Sequence, residues 1–239
     1  MKTSKWPKIL APITFAQEKI SDDFMAHWLK LLDNRPYYSF IEKFNHNYVV
    51  KYAPKEFLTT LEIGAGLGNH LKYEKLCEKR KNHYIALEIR ENVAKKFQEI
   101  HPNMKIEIGD CQKPLSFSDG YFDRILAIHV LEHLPNLPSA IKEMYRLCKK
   151  PQGQFSVVIP CEGGLLYTLA RKISAERVFT HRYQQSYRWF IEREHINKPE
   201  EILEELEPYF HIVHKQFFPL FIPFIHCNLC IGITLKPRY

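Results

Sequence analysis

Three glycines stand within five positions, at Gly64, Gly66 and Gly68, in the stretch LEIGAGLGNHL that follows an apolar run. Glycine has no Cβ, so such a turn tolerates positive φ and lets main-chain atoms touch a ligand. Three carboxylates narrow the ligand. Glu62 precedes the first glycine by two residues, where a carboxylate repels phosphate and attracts a cationic group. Glu88 closes the run HYIALEI, where an acid can accept from both ribose hydroxyls. Asp110 closes KIEIGD, placed to accept from an exocyclic adenine amine while the Cys111 main-chain N–H donates to a ring nitrogen. Together they describe a cationic adenosyl compound. The spacing is G-x-G-x-G, Asn69 fills the place of the third glycine of a dinucleotide fingerprint, and the G-K-[ST] of a P-loop is absent.

A second constellation is HVLEHL, holding His129, Glu132 and His133. Its place after an apolar run makes His129 the first candidate for a general base, with His195 next and Tyr183 and Glu162 behind. His133 has a second reading, as a residue that caps or packs against the following helix. Glu132 and His133 are metal-ligand types, but the spacing offers no third and fourth ligand, so no metal is expected. Cys227 and Cys230 form a lone C-x-x-C in a predicted strand, where they face opposite sides and need no metal or redox role.

Positioning these residues takes alternating elements. Short apolar runs at 57–63, 83–89, 105–109, 124–130 and 154–160 read as strands. Between them NHLKYEKLCEKR, ENVAKKFQEIH and LPSAIKEMYRLCKK carry apolar residues on one helical face. This alternation predicts an α/β, Rossmann-like, doubly wound sheet, mostly parallel, with helices on both faces. Two last strands near 210–217 and 228–236 predict a C-terminal antiparallel hairpin and a total of seven. Residues 1–56 read as an N-terminal helical cover, broken at Asp33-Asn34-Arg35-Pro36. Residues 57–239 form the main domain, with a lid insertion at about 161–195. A further helix is expected from Pro199.

Four pieces, LEIGAGLG (61–68), IALEI (85–89), GDCQKPLSFSDGYFDRILAIHVLEHL (109–134) and KKPQGQFSVVIP (149–160), resemble in order and spacing the class I S-adenosylmethionine-dependent methyltransferases, including the ubiquinone-pathway group. The resemblance covers roughly 57–160. It implies S-adenosyl-L-methionine as cofactor and S-adenosyl-L-homocysteine as product. Carried over by position, Glu62, Gly64, Ala65 and Gly66 face the methionine portion, Glu88 and Ile89 the ribose, Asp110 and Cys111 the adenine, and His129 the methyl group. The chain departs from the family at KKPQG, where a proline followed by two glycines is usual, and at Glu88, where aspartate is as common.

The acceptor is sought in the lid. Residues 171–193 hold six Lys/Arg against two Glu, with Arg182, Tyr183, Tyr187 and Trp189 as candidate substrate-binding residues. Aromatic faces suit a flat or apolar group and arginines an anionic one. Phe24, Trp28, Tyr37, Tyr38 and Phe40 are expected to close the other side. A small-molecule, sugar or lipid-linked acceptor is expected. The alternatives are an RNA methyltransferase and a cofactor-holding module without turnover. The net charge of +7 is spread evenly and makes nucleic acid a weak reading. Six cysteines at irregular spacing suit reduced thiols in a cytoplasmic protein, and no signal peptide is read at the N-terminus. The apolar stretch 217–235 is interrupted by Pro219, Pro223, His226 and Asn228, and reads as two strands around a packed turn rather than a membrane span.

Overall fold

The computed structural model describes residues 5–34 and 36–238; for residues 29, 32–34 and 36–38 only the backbone is described. Tyr37 and Tyr38 therefore fall outside the described side chains. Seven strands form one sheet: β1 (Thr60–Ile63), β2 (Tyr84–Glu88), β3 (Lys105–Ile108), β4 (Arg124–Ile128), β5 (Gln154–Pro160), β6 (Phe210–Phe218) and β7 (Cys230–Pro237). Their order is β3-β2-β1-β4-β5-β7-β6. The first five run parallel. β7 is antiparallel to both β5 and β6. The expected seven-stranded sheet with its C-terminal antiparallel pair is present.

Alternation along the strands sorts the two faces. On β4, Ile125 and Ala127 face a core shared with Ile141, Met144 and Leu147 of α5 (Leu137–Leu147) and Ile202 and Leu206 of α9 (Pro199–Leu206). Leu126 and Ile128 face Tyr48 and Val49 of α2 (Pro36–Lys51), which follows α1 (Phe15–Asn34) across the expected break. Phe97 of α4 (Glu91–Ile100) packs with Ala86 on β2. The N-terminal cover is thus tied into the sheet layer. The Tyr48 ring lies so close to β7 that a Cβ on Gly232 would stand 2.5 Å from it. Its hydroxyl lies 3.1 Å from Thr234 Oγ1.

Two segments depart from the sequence reading. NHLKYEKLCEKR was expected to be helical; only a 3₁₀ turn at Asn69–Lys72 and one turn of helix, α3 (Glu78–Lys81), form. The cause is a buried charge on the neighbouring strand. Arg124 is fully buried, and its guanidinium sits 2.6 Å from Glu74, which also bonds His70 at 2.9 Å. Satisfying Arg124 pins this chain segment to the sheet. The second departure is 161–195, expected to be irregular. It is helical: α6 (Leu165–Arg171) runs through a π-helical turn (Lys172–Glu176) into α7 (Arg177–Tyr183), and α8 (Arg188–Glu194) follows.

The 217–235 stretch is two strands around a turn, as expected. Asn228, fully buried, accepts from Leu220 N–H and donates to the Ile222 and Phe224 carbonyls. The turn is not packed away, however. Leu220, Phe221, Ile222 and Phe224 are all exposed. Among the described residues no helix is long and apolar enough to cross a membrane.

Glu62 belongs to the same buried network, accepting from Tyr84 Oη at 2.7 Å. Burial pushes its carboxyl up to about 7 and the His70 imidazole down to about 4. Burial also opposes charge on Glu74, but His70 and Arg124 outweigh it and hold that carboxyl at about 2. Glu74→Gln strands the Arg124 charge in the core and should cost about 3 kcal/mol in urea unfolding. The pH sense follows by linkage. The unfolded chain protonates His70 near 6.5 while the fold keeps it neutral to about 4, so stability falls with acid across that window. Glu62 acts oppositely, since the fold retains its proton up to about 7 and stability falls as pH rises from about 4.5. Unfolding of Glu62→Gln, followed from pH 5 to 7, should therefore show a steeper rise in stability with pH than the parent.

Candidate active site

Strand order reverses between β1 and β4, and ligands of open α/β sheets bind outside the carboxyl ends at such a point. The glycine turn leaves β1 there. Gly64, Gly66 and Gly68 all have positive φ, at 66°, 57° and 78°. A Cβ on Gly64 would meet Val130 Cγ2 at 2.5 Å, so the β1 and β4 turns are in close contact. The Ala65 N–H donates to Leu87 O at 3.1 Å, tying the turn to β2.

Glu88 ends β2 with its carboxylate against that turn. Its Oε2 accepts the Gly66 N–H at 3.1 Å, and Oε1 accepts the Arg90 N–H and Nε, both at 3.0 Å. The next side chain, Ile89, is 59% exposed, an apolar surface beside an acid. Asp110 lies past β3, its Oδ1 accepting from Gln112 N–H and Nε2 at 2.9 and 3.0 Å in an Asx turn. A cavity of about 280 Å³ opens beside it, lined by Leu87, Gly109, Asp110, Leu115 and Phe117. Cys111 buries its thiol in the main core, where burial pushes it up to about 12. Glu88, Ile89, Asp110 and the glycine turn thus share one rim and could hold an adenosyl compound. Glu62 sits one layer below, in the Tyr84 network rather than against the rim.

Beyond β4, His129 takes a left-handed conformation (φ 53°), which costs a non-glycine residue of order 1–3 kcal/mol. Its Nδ1 donates to Glu132 Oε1 at 3.0 Å. Burial works against charge on His129, but the Cys230 thiol and the Glu132 carboxylate raise its pKa well above the ordinary value. Glu132 is fully buried; burial opposes its charge, yet His129 and the nearby histidines hold it at about 2. His195, at the end of α8, enters from the far side. Its Nδ1 faces Glu162 at 2.9 Å and Tyr167 Oη at 3.3 Å. Its ring meets that of His133 edge-on, with centroids 5.1 Å apart. Asn197, also fully buried, donates to the Leu131 and Leu134 carbonyls at 2.7 and 2.8 Å and clips the two segments together.

The lid residues meet the N-terminal cover. Arg182 and Tyr183 both bond Asp23 of α1. Tyr187 packs with Phe24, Phe179 and Phe190, and Trp189 lies against the same cluster. Spacing along the chain drew attention to His129, Glu132 and His133; it gave no sign that His195, Glu162, Tyr167 and Glu194 would gather around them.

The fold defines a class of architecture: a Rossmann-like, mostly parallel seven-stranded sheet with a crevice at the β1/β4 switch. Residues 61–157 match the family described as "Methyltransferase domain". That match, over about two fifths of the chain, agrees with the resemblance to class I S-adenosylmethionine-dependent methyltransferases read from the sequence. One curated relative, the sterol 4-C-methyltransferase strm-1 of Caenorhabditis elegans, is 37% identical over 100 residues, which are 41% of this chain and 29% of that protein. The chain thus matches less than a third of that relative's length. A TehB-like SAM-dependent methyltransferase from Corynebacterium glutamicum superposes with a TM-score of 0.60 at 15% identity, covering 92% of this chain and 100% of that one. The N-methyltransferase NodS of Bradyrhizobium japonicum, solved with S-adenosyl-l-homocysteine, gives 0.57 at 14% identity, covering 87% and 91%. Glu88→Ala and Asp110→Ala should each weaken S-adenosylmethionine binding about tenfold or more in calorimetry, the scale of a lost charged hydrogen bond. Unchanged affinity in both would remove these residues from the cofactor rim.

Proposed function

We propose that the protein methylates a hydroxyl on an apolar small molecule or lipid-linked metabolite. The observation that carries this is the shared rim: the Glu88 carboxylate on the Gly66 N–H, with exposed Ile89 beside it and the His195–Glu162 pair across the β4 turn. When bound, S-adenosylmethionine supplies a methyl on sulfonium, which a lone pair of the acceptor oxygen takes as the C–S bond breaks and its electron pair stays on sulfur. The chain's residues align the partners, exclude water and receive the hydroxyl proton. His129, tied to Glu132 and held protonated, is a poor proton acceptor, and its place beside the glycine turn suits positioning. The proton goes to the cluster around His195.

The apolar character of the acceptor is supported by an exposed apolar surface on the segment that follows β5. Leu165, Leu169 and Ile173 form an exposed stripe at helical spacing on α6 and its π turn. α6 packs beside the turn at Ile225–Cys227, next to exposed Phe221, Ile222 and Phe224. Exposed apolar patches of this kind mark sites for ligands or partners. The methyl transfer named for the sterol relative fits an apolar acceptor. Arg182 and Tyr183, by holding Asp23, and Tyr187 and Trp189, within the aromatic cluster, serve the acceptor by closing the lid over it.

The test is incubation of the protein with isotope-labelled methyl donor and an organic extract of cells, followed by mass spectrometry. Label in one apolar compound, with S-adenosylhomocysteine formed in step, is expected. His195→Ala should lower that turnover about 100-fold, the contribution of one general base, with cofactor affinity unchanged. Release of S-adenosylhomocysteine only with RNA added, or none with any acceptor, would overturn the reading.

A further inference from the structure

We propose that Glu132, His133 and His195 form a binding site for one divalent first-row transition-metal ion. A ligand atom from each lies within 4.8 Å of the others, close enough for one ion to touch all three. The set is two imidazoles and a carboxylate, which suits ions such as Zn²⁺, Mn²⁺, Fe²⁺ or Co²⁺ and leaves open coordination positions.

Three observations point to a ligand rather than to a packed polar core. Glu132 is fully buried, and while its Oε1 accepts from His129, its Oε2 has no hydrogen-bond partner. A buried carboxylate oxygen left without a partner is costly. Each histidine also presents one ring nitrogen to a carboxylate. His195 Nδ1 is 2.9 Å from Glu162, and His133 Nδ1 is 3.6 Å from Glu194. That leaves Nε2 of both rings as the nitrogens available to an ion. His133 Nε2 indeed faces Glu132 Oε1 at 3.9 Å. Carboxylates behind ligating histidines are the usual outer support of a metal site, fixing tautomer and ring orientation. Finally, the ligands are held before any ion arrives. Asn197 and the Ile196 and Asn197 N–H groups, both donating to the Glu132 carbonyl at 2.9 and 3.0 Å, lock the two segments.

The consequence for catalysis rests on the proposed function; the site itself does not. The ion would hold the acceptor oxygen and lower its pKa, easing loss of the hydroxyl proton. The sequence offered Glu132 and His133 without a third ligand; the fold supplies His195.

The experiment is calorimetry of metal-free protein with Zn²⁺ and with Mn²⁺, without cofactor or acceptor, beside a separate titration with S-adenosylmethionine. One ion per chain is expected with at least one metal, bound at least tenfold more weakly by Glu132→Gln and by His195→Ala. Glu162→Gln, which alters only the outer support, should weaken it about tenfold. Since Glu132→Gln could disturb the buried turn, crystals of the unaltered protein soaked in Mn²⁺ give a second readout: an anomalous peak between the three residues. No stoichiometric binding, binding indifferent to both variants, or a peak elsewhere would each overturn the proposal, whatever the cofactor titration shows.

Discussion

A Cβ at position 64 would stand 2.5 Å from Val130, and the site is arranged around that close approach. β1 and β4 are neighbours whose crossovers leave in opposite directions, so a crevice opens between their ends. Only a residue without a side chain lets the two turns meet there. The glycine turn can then carry its N–H groups to Glu88 on one side. On the other, Val130 fixes the chain that leads from strained His129 to Glu132. The rim at Glu88 and the cluster at Glu132 are thereby joined through the approach of the Val130 side chain to the Gly64 main chain.

Beneath the turn the protein buries charge, which gives fixed geometry more than net stability. Arg124 pairs with Glu74, which also bonds His70, and Glu62 accepts from Tyr84, while Arg124 Nε and Nη1 and His70 Nδ1 have no hydrogen-bond partner among the described residues. The network dictates the path of residues 69–81 and so the exit of the glycine turn. The same logic recurs at Glu132, where a buried carboxylate orders His129 and faces two further histidines.

The strands and the acids at their ends were legible in the sequence because both are local. A β-run declares itself by composition, and the residue after it lies at the sheet's edge whatever surrounds it. Glu88 and Asp110 could be placed on that ground alone. The helix expected over 69–80 failed because its fate is decided by Arg124, a charge on a strand formed much later in the chain. The meeting of Glu132, His133 and His195 was invisible for the same reason. Two of them are adjacent, but the third arrives through the fold of the lid and the clip made by Asn197. Exposure of the 220–224 turn was also missed: an apolar sequence does not say whether anything covers it.

Residues 165–194 and α1 are packed together as one piece. Phe24 of α1 packs edge-on against Phe179, Tyr187 and Phe190 at 5.0 to 6.0 Å, contacts worth about 0.5–1.5 kcal/mol each beyond burial. Asp23 clasps Arg182 and Tyr183 on the rim of the same cluster. Further along, Arg193 donates to the Ala11 carbonyl and Lys8 to the Ile196 carbonyl, so the arm before α1 is fastened beside His195. Any displacement of residues 165–194 would therefore have to part them from α1 or carry α1 with them. α2 cannot follow, since Tyr48 is locked over Gly232 and Thr234. The cover is thus fastened to residues 165–194 through α1 and to the sheet through α2.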